Sequence, residues 1–226
     1  MKSIGSVKED PVLEKRVSIT PETVKKFTSI NIPVLIEKKY AEHLGISDEE
    51  YKNNGAVIYN SAKEIFEKAE IILKVNCPKS SEINLIKDSS ILIGLLDPFL
   101  DKEIINKLIK KKINIFSLDL LPRIAKAQSM DVLSSQANLA GYKAVIESFN
   151  EFEKVIPMMM TAAGTILAAK VLVIGAGVAG LQAIATAKRL GEIVFATDVR
   201  HASKAQVESL GGKFLFIEGT EGTDNK

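Results

Sequence analysis

Aliphatic runs alternate with amphipathic segments along the first 120 residues of the chain. The runs at 71–75, 91–96 and 113–118 are rich in Ile, Leu and Val at successive positions rather than at every second one. Such runs are typical of parallel strands that are covered on both faces. Six strands are predicted: Ser3–Val7, Pro33–Glu37, Ala56–Tyr59, Glu70–Val75, Ser90–Leu95 and Ile113–Leu118.

Helix-start signals lie between these runs. At Thr20 the order Thr-Pro-Glu combines a helix N-cap, a first-turn proline and a first-turn acid. Ser61 and Glu64 have the spacing of a capping box, and Asp101 precedes a segment that ends in lysines. This alternation predicts an α/β fold with a doubly wound parallel sheet of about five or six strands that ends near residue 120.

A second series of strands and helices is expected after one long helix at 129–152. The uncharged runs 155–169 and 171–187 approach the roughly 20 apolar residues of a membrane span, but Lys170 separates them. Both are interpreted as buried α/β elements, so the chain is expected to have no transmembrane helix of its own. Two doubly wound, Rossmann-like parallel-sheet domains are predicted, the second of them incomplete: residues 1–128 and residues 129–226.

The most informative motif is a glycine-rich turn within KVLVIGAGVAGLQAIATAKRLG. It follows a predicted strand, Val171–Ile174, and opens a predicted helix, Val178–Leu190. A second predicted strand then ends at an acidic residue 18 positions after the last glycine of the turn (180 to 198). This order is typical of a dinucleotide-binding unit. The residues expected to contact the cofactor are Gly175, Ala176, Gly177, Val178, Ala179, Gly180, Asp198 and Val199.

Each glycine of the turn has its own expected role. Gly175 permits the tight turn, Gly177 lets a pyrophosphate approach the backbone, and Gly180 lets the helix pack closely on the strand. The N–H groups at the helix start can then receive phosphates. Asp198 can accept hydrogen bonds from a ribose 2′-OH and would repel a 2′-phosphate, which favours NAD over NADP. Arg200 leaves an alternative open, because it can accommodate a 2′-phosphate or be a surface residue.

Composition narrows the class of protein. The 226 residues are 46% hydrophobic and 26% charged with a net charge of +2, which are ordinary globular values. Basic residues form no block, so nucleic acid is not an expected partner. A single cysteine, Cys77, excludes a disulfide within the chain, and the isolated His43 and His201 suggest no metal site. The N-terminus has no apolar stretch of the kind found in signal peptides.

Four polar residues lie at or just ahead of the predicted long helix: Arg123, Gln128, Asp131 and Ser134. They include no His, no Cys and no second carboxylate, so they indicate a binding surface rather than an acid–base centre. Arg123 can donate to the carbonyl of a nicotinamide carboxamide, and Asp131 can accept from its NH2 group. Gln128 and Ser134 can each donate and accept. If this segment begins the long helix, Gln128 and Asp131 share one face; alternatively, Ser129 or Asp131 only caps the helix.

Several stretches carry a resemblance to a known family. The run PRIAKAQSMDVLSSQANLAGYKAVIESFNEF, followed by PMMMTAAGT and the glycine-rich segment, resembles the NAD(H)-binding alpha subunit of the proton-translocating NAD(P) transhydrogenases. The N-terminal KEDPVLEKRVSITPETVKKF and the segment IILKVNCP resemble signatures that this family shares with alanine dehydrogenase. The resemblance covers nearly the whole chain, and the spacing of the four polar residues is its most specific part.

The segment that carries these four polar residues, 123–134, is called the polar loop below. The resemblance implies that this loop closes over the nicotinamide end of NAD(H). Arg123, Asp131 and Ser134 would hold the carboxamide, and Gln128 would reach toward a second nucleotide. Gln128 and Asp131 are the catalytic residues expected on this basis. The implied reaction is hydride transfer between NADH and NADP(H) held on a partner subunit, coupled to proton translocation.

The implied partners are a membrane domain, the NADP(H)-binding subunit and a second copy of the chain in a homodimer. The implied location is cytoplasmic, peripheral on the inner face of the cell inner membrane through the partner subunits.

Some features depart from the family pattern. Ser6 stands where the family usually has proline, Asn31 where it often has glycine, and the segment TILAAK lacks expected prolines. Only the first three strands of a dinucleotide fold are expected, so the first of them becomes an open edge. Either another polypeptide supplies the remaining strands, or the chain is a fragment or a decaying gene product. The three expected strands are Val171–Ile174, Ile193–Thr197 and Lys213–Ile217.

Two other functions remain open at this point. Arg16 and Lys74 match positions that hold pyruvate in alanine dehydrogenase, but Leu96 and Asp97 occupy the region where that family has its catalytic histidine. A non-catalytic NAD-binding or assembly module is the second alternative, favoured by the incomplete nucleotide-binding fold.

Overall fold

A computed structural model describes residues 2–99, 102–122 and 124–216 of the chain. It divides into two compact units, one reaching Asp131 and the other starting at Val132. The sequence places the boundary slightly earlier, between residues 128 and 129. The expected helix cap at Asp101 lies outside the described residues, as does Arg123.

The first unit contains a six-stranded parallel sheet with the strand order β3-β2-β1-β4-β5-β6. All six predicted strands are present and every neighbouring pair is parallel, so the predicted doubly wound sheet is confirmed. The strands are β1 (Ile4–Ser6), β2 (Val34–Glu37), β3 (Val57–Tyr59), β4 (Ile71–Asn76), β5 (Ile91–Leu95) and β6 (Asn114–Ser117). The helices are α1 (Pro21–Ser29), α2 (Asp48–Asn53), α3 (Ala62–Lys68), α4 (Ser80–Leu85) and α5 (Lys102–Lys110).

Two hydrophobic clusters form the core of this unit. Neighbouring residues of β2 belong to different clusters, with Leu35 in one and both Val34 and Ile36 in the other. Successive side chains of a strand point to opposite faces of the sheet, so each face has its own core. This explains why the strand sequences are apolar at successive positions.

The second unit contains a three-stranded parallel sheet and a separate two-stranded sheet. Its three parallel strands have the order β11-β10-β9, and α7 connects β9 to β10. Its strands and helices are α6 (Val132–Glu151), β7 (Met159–Thr161), β8 (Gly164–Ile166), β9 (Lys170–Ile174), α7 (Val178–Arg189), β10 (Ile193–Thr197), α8 (Ser203–Ser209) and β11 (Lys213–Phe214).

The start of the long helix differs from the prediction. The chain forms a 3-10 helix at Ala125–Met130, and α6 begins only at Val132. Asp131 separates the two because its ψ of 88° lies outside the helical range. Because this segment does not begin α6, the condition under which Gln128 and Asp131 would share one face of the long helix is not met.

The sequence predicts that the run 155–169 is a buried α/β element, and this prediction is wrong. Strands β7 and β8 form an antiparallel hairpin, and all six of their residues are exposed. Gly164 has a φ of +139°, a conformation that favours glycine, at the start of β8. A local turn therefore folds this apolar run back on itself at the surface.

Strand β9 is an open edge of its sheet within the described residues, as the sequence predicts. It pairs with β10, and no other strand in residues 124–216 pairs with it. Leu172 is 56% exposed and Ile174 is 81% exposed. Beside this edge lies an apolar groove of about 400 Å³, lined by residues of α6 and β9, by Phe152 and Ala169 next to them, and by Ala183.

Helices α6 and α7 cross at a glycine that no sequence motif marks. A Cβ atom added to Gly141 would lie 2.1 Å from the carbonyl oxygen of Ala179. The two helix backbones can approach this closely because position 141 has no side chain.

We predict that Gly141→Ala destabilises the second unit by about 2–3 kcal/mol, because the added methyl group collides with backbone rather than with a movable side chain. Alanine is about 1 kcal/mol better than glycine in a helix interior, so helix propensity alone predicts stabilisation. Urea unfolding followed by circular dichroism measures the difference. Ala140→Gly at the exposed neighbouring position is the control, and unchanged or increased stability of Gly141→Ala would contradict the predicted clash.

Glu192 is buried just before β10, with 1% of its surface exposed. No hydrogen-bond donor of the described residues reaches either of its carboxylate oxygens. Burial raises the pKa of Glu192, and the nearby Lys188 only partly opposes this effect. Burying a carboxylate without a hydrogen-bond donor costs free energy, so Glu192 lowers the stability of the second unit.

We predict that Glu192→Met, which has a similar volume, stabilises the second unit at pH 7 by about 1–3 kcal/mol. The native pKa lies above the unfolded value, so the folded carboxyl keeps its proton to higher pH than the unfolded one. The wild type therefore loses stability as pH rises from the unfolded pKa toward the native pKa. Urea midpoints at pH 4 and pH 7 should show a gain for Glu192→Met that grows with pH, and a pH-independent gain would contradict this. Glu151→Met provides an exposed control.

Candidate functional site

The glycine-rich turn joins the end of β9 to the start of α7. Gly175 has a φ of +94°, in the left-handed region that favours glycine. Its N–H group donates to the carbonyl oxygen of Thr197 at the end of β10, at a distance of 2.8 Å. The turn is thus held at the carboxyl ends of two adjacent parallel strands, where open α/β sheets bind their ligands.

The other two glycines differ in what surrounds them. A Cβ atom at Gly180 would lie 1.8 Å from the carbonyl oxygen of Gly175, so this glycine is required by close packing of the helix on the turn. A Cβ atom at Gly177 would meet nothing within 4 Å. Space beside the backbone at Gly177 is therefore open, which fits a position where a ligand approaches the chain closely.

The N-terminus of α7 supplies N–H groups at this open space. The first bond of the helix joins the N–H group of Leu181 to the carbonyl oxygen of Gly177, at 2.8 Å. The N–H groups of the preceding residues have no acceptor within the helix, and Gly177 has no side chain to cap them. These groups and the helix dipole favour an anion at this end.

The carboxylate of Asp198 connects the end of β10 to the turn. Its Oδ2 atom accepts from the N–H group of Ala176 at 2.7 Å and from Arg200 Nη2 at 3.2 Å. Its Oδ1 atom accepts from the backbone N–H group of Arg200 at 2.8 Å and from Arg200 Nε at 3.0 Å. Hydrogen bonding to Arg200 lowers the pKa of Asp198 to about 2, so the group is charged at neutral pH.

The remaining residues predicted in and after the turn differ in accessibility. Ala176 is buried, Ala179 is partly buried, and both Val178 and Val199 are exposed. Side chains at 178 and 199 can therefore contact a ligand, whereas Ala176 contributes its backbone.

The polar loop is distributed over the end of the first unit and the start of the second. Gln128 is exposed in the 3-10 helix, and its carbonyl oxygen accepts from the N–H group of Asp131 at 3.3 Å. Asp131 stands directly before α6 and is partly buried, as is Ser134 in the first turn of α6. The non-helical conformation of Asp131, between the 3-10 helix and α6, determines the backbone conformation of this loop.

The first unit has a charged cavity of about 460 Å³ at the carboxyl ends of β1, β2 and β4. Lys74 is buried there, with its Nζ atom 2.9 Å from Glu82 and 3.5 Å from Glu9. The sequence analysis assigns a role to Lys74 but none to these two carboxylates, although Glu9 lies in the quoted N-terminal signature. Glu9 also follows a predicted strand by two positions, and Glu82 has the position of a first-turn acid in α4.

Arg16 belongs to the same region of the first unit. Its guanidinium donates to Glu14 from Nε at 2.8 Å and from Nη2 at 2.7 Å. This hydrogen bonding lowers the pKa of Glu14 to about 2. After β5, the buried Leu96 and the exposed Asp97 occupy the region where the alanine dehydrogenase alternative expects a histidine.

Models of known protein families match the sequences of both units. Residues 5–140 match the family model described as alanine dehydrogenase/PNT, N-terminal domain, and residues 144–223 match the corresponding C-terminal domain. The chain belongs to the alanine dehydrogenase/PNT family.

Within this family, the chain is similar to proteins named as the first part of NAD(P) transhydrogenase subunit alpha. The one from Rhodospirillum rubrum is 48% identical over 210 residues, which are 91% of this chain and 55% of the relative. The one from Rickettsia prowazekii is 49% identical over 219 residues, which are 95% of this chain and 57% of the relative. The chain therefore spans little more than half the length of these relatives.

Solved structures of a transhydrogenase and an alanine dehydrogenase have a similar fold. A crystal structure of transhydrogenase from Sinorhizobium meliloti matches with a TM-score of 0.90 and 47% identity, over 95% of this chain and 64% of that one. An L-alanine dehydrogenase structure matches with a TM-score of 0.82 at 23% identity, which shows a shared fold.

Membrane-spanning helices and metal-binding clusters are both absent from the described residues. No helix there combines the length and apolar composition needed to cross a bilayer. No group of three or more His, Cys, Asp or Glu side chains within residues 2–99, 102–122 and 124–216 is placed to hold a metal ion.

Two glycine substitutions should separate ligand approach from packing. Gly177→Ala is expected to leave the urea midpoint unchanged, because its methyl group enters open space, yet to weaken NADH binding by about tenfold or more. Gly180→Ala is expected to destabilise the second unit, because its methyl group collides with the turn. NADH fluorescence titration and urea unfolding measure the two effects. Unchanged NADH affinity in Gly177→Ala would show that no ligand approaches this backbone.

Proposed function

We propose that the chain is the NAD(H)-binding part of a proton-translocating NAD(P)+ transhydrogenase. The observation that carries this proposal is the open backbone at Gly177, at the start of α7, in a chain nearly half identical to transhydrogenase alpha subunits. The second unit is the NAD(H)-binding domain in this proposal, and the first is the N-terminal domain of the family.

The residues of the turn fit a dinucleotide. The N–H groups at the start of α7 hold the pyrophosphate, and Gly177 gives it access to the backbone. Gly175 and Gly180 shape the turn, while Ala176 fixes Asp198 beside it. Val178, Ala179 and Val199 line the site. When bound, NAD(H) supplies the hydride that is exchanged with the second nucleotide.

The polar loop orients the nicotinamide end of the cofactor. Arg123, Asp131 and Ser134 hold the carboxamide, and the exposed Gln128 reaches toward NADP(H) on the partner subunit. Hydride transfer between two nicotinamides needs the two rings in contact and water excluded, and it needs no proton donor. A loop of hydrogen-bonding groups without an acid–base pair suits this role. Gln128 and Asp131 are the catalytic residues in this proposal.

The proposal includes partners. The NADP(H)-binding subunit and a membrane domain complete the enzyme, which places the chain in the cytoplasm on the inner face of the cell inner membrane. The chain alone is inactive in this proposal.

It also forms a homodimer, supported by the exposed apolar hairpin formed by β7 and β8. Sedimentation velocity should give twice the 24.6 kDa mass of one chain; a monomer at high concentration contradicts the dimer.

Two other functions compete with this proposal. In alanine dehydrogenase, Arg16 and Lys74 would hold pyruvate, but Leu96 and Asp97 replace the proton-donating histidine expected there. Turnover with pyruvate, ammonium and NADH would establish that activity. A non-catalytic NAD-binding or assembly module is favoured by the single half of the nucleotide fold, with β9 as its edge.

The decisive assay adds an NADP(H)-binding transhydrogenase subunit and follows hydride transfer from NADH to an NADP+ analogue. Gln128→Ala should lower this rate by about tenfold or more while NADH affinity stays within about twofold, because Gln128 is expected to act across the two nucleotides. Lys126→Ala, an exposed neighbour in the same 3-10 helix, is the control.

Tight NADH binding without any transfer by the wild type would favour the module. Equal rates for Gln128→Ala and wild type would remove Gln128 from the site.

A further inference from the structure

The carboxylate of Asp198 is fully occupied within the chain itself. It accepts four hydrogen bonds, two at each oxygen, from Ala176 N–H and from three groups of Arg200. An ionised carboxylate has about four lone-pair positions. A ribose hydroxyl can therefore donate to Asp198 only if one of these four bonds is broken.

The four bonds are not equally replaceable. The bonds from the backbone N–H groups of Ala176 and Arg200 are set by the turn and by the chain directly after β10. The other two come from the guanidinium of Arg200, whose side chain is 54% exposed and flexible by nature, whereas that of Asp198 is 6% exposed. The guanidinium is the group that can leave at little cost to the fold.

We propose that the guanidinium of Arg200 occupies the ribose position on Asp198 and that a ribose diol displaces it when a nucleotide binds. The inference rests on the proposed function, since it requires a nucleotide at the turn. The sequence leaves open whether Arg200 accommodates a 2′-phosphate or is a surface residue. In the structure its guanidinium is hydrogen-bonded to Asp198 and is not presented to a 2′-phosphate. Arg200 thereby becomes a specificity-determining residue that competes with the ribose.

The charges next to this pair define the control. Lys204 Nζ lies over the ring of Phe216, 5.2 Å from its centroid, and 3.9 Å from Glu208. It carries the same charge as Arg200, but its contacts are with these two residues and not with Asp198. Removing Lys204 changes the local charge by one unit and leaves the bonds of Asp198 in place.

The first measurement follows the Nε–H signal of Arg200 by NMR in the 15N-labelled chain, assigned with Arg200→Lys. In the free chain, Asp198→Asn should move this signal to the position of a solvated arginine, and Lys204→Ala should leave it unchanged. ADP, which carries the diphosphate and the ribose diol, is then titrated. The Arg200 signal should move to the solvated position in step with the amide signals of Gly175, Gly177 and Gly180.

The second measurement compares affinities. Relative to Lys204→Ala, Arg200→Ala should bind ADP about three- to tenfold more tightly, because the competing ion pair is gone. The gain should shrink with 2′-deoxy-ADP, which lacks one of the hydroxyl donors. The wild type should bind 2′,5′-ADP more weakly than ADP.

Three outcomes would overturn the inference. Arg200 could stay on Asp198 while the glycine amides shift, Arg200→Ala could weaken ADP binding as much as Lys204→Ala does, or 2′,5′-ADP could bind more tightly than ADP. Each of these leaves the proposed nucleotide site standing. If ADP and NADH shift none of the glycine amides, the proposed function fails and the inference fails with it.

Discussion

The position of α7 is fixed by two backbone contacts that leave no room for a side chain. Gly180 meets the carbonyl oxygen of Gly175 on one side, and Gly141 meets that of Ala179 on the other. These contacts hold the start of α7 between the turn and α6. Because backbone atoms cannot rotate away, the N–H groups that face the open space at Gly177 are placed by packing before any ligand binds.

Three cationic side chains of the described residues contact carboxylates close to the cavity of the first unit or the turn of the second. Arg200 lies on Asp198, Arg16 lies on Glu14, and Lys74 lies between two carboxylates. Each of these groups includes a largely buried member, which is Asp198, Glu14 or Lys74, and hydrogen bonds or ion pairs within the chain replace much of its contact with water. Glu192 is the contrasting case, a buried carboxylate with no donor among the described residues. The carboxylate at the carboxyl end of β10, Asp198, thus has hydrogen-bond donors, whereas Glu192 at the opposite end of β10 has none among the described residues.

Features with a local cause could be predicted from the sequence. The six strands of the first unit follow from apolar runs, and the turn at Gly175 follows from its spacing and its flanking strand and helix. Features that depend on distant contacts could not. Gly141 gives no local sign that Ala179 will lie against it, and the run 155–169 has the composition of a buried element although it forms an exposed hairpin. The hydrogen bonds from the guanidinium of Arg200 to Asp198 likewise depend on side-chain geometry, which the spacing of the two residues in the sequence does not determine.

The central place of β1 has a consequence for synthesis of the chain. It pairs on one side with β2 and on the other with β4, where Ile4 lies opposite Ile71. These partners are 67 positions apart (71 − 4), which ribosomes cover in roughly 3–13 s at about 5–20 residues per second. Throughout that interval the side of β1 that pairs with β4 is unfilled. The sheet of the nascent first unit therefore cannot close around β1 until β4 has been synthesised.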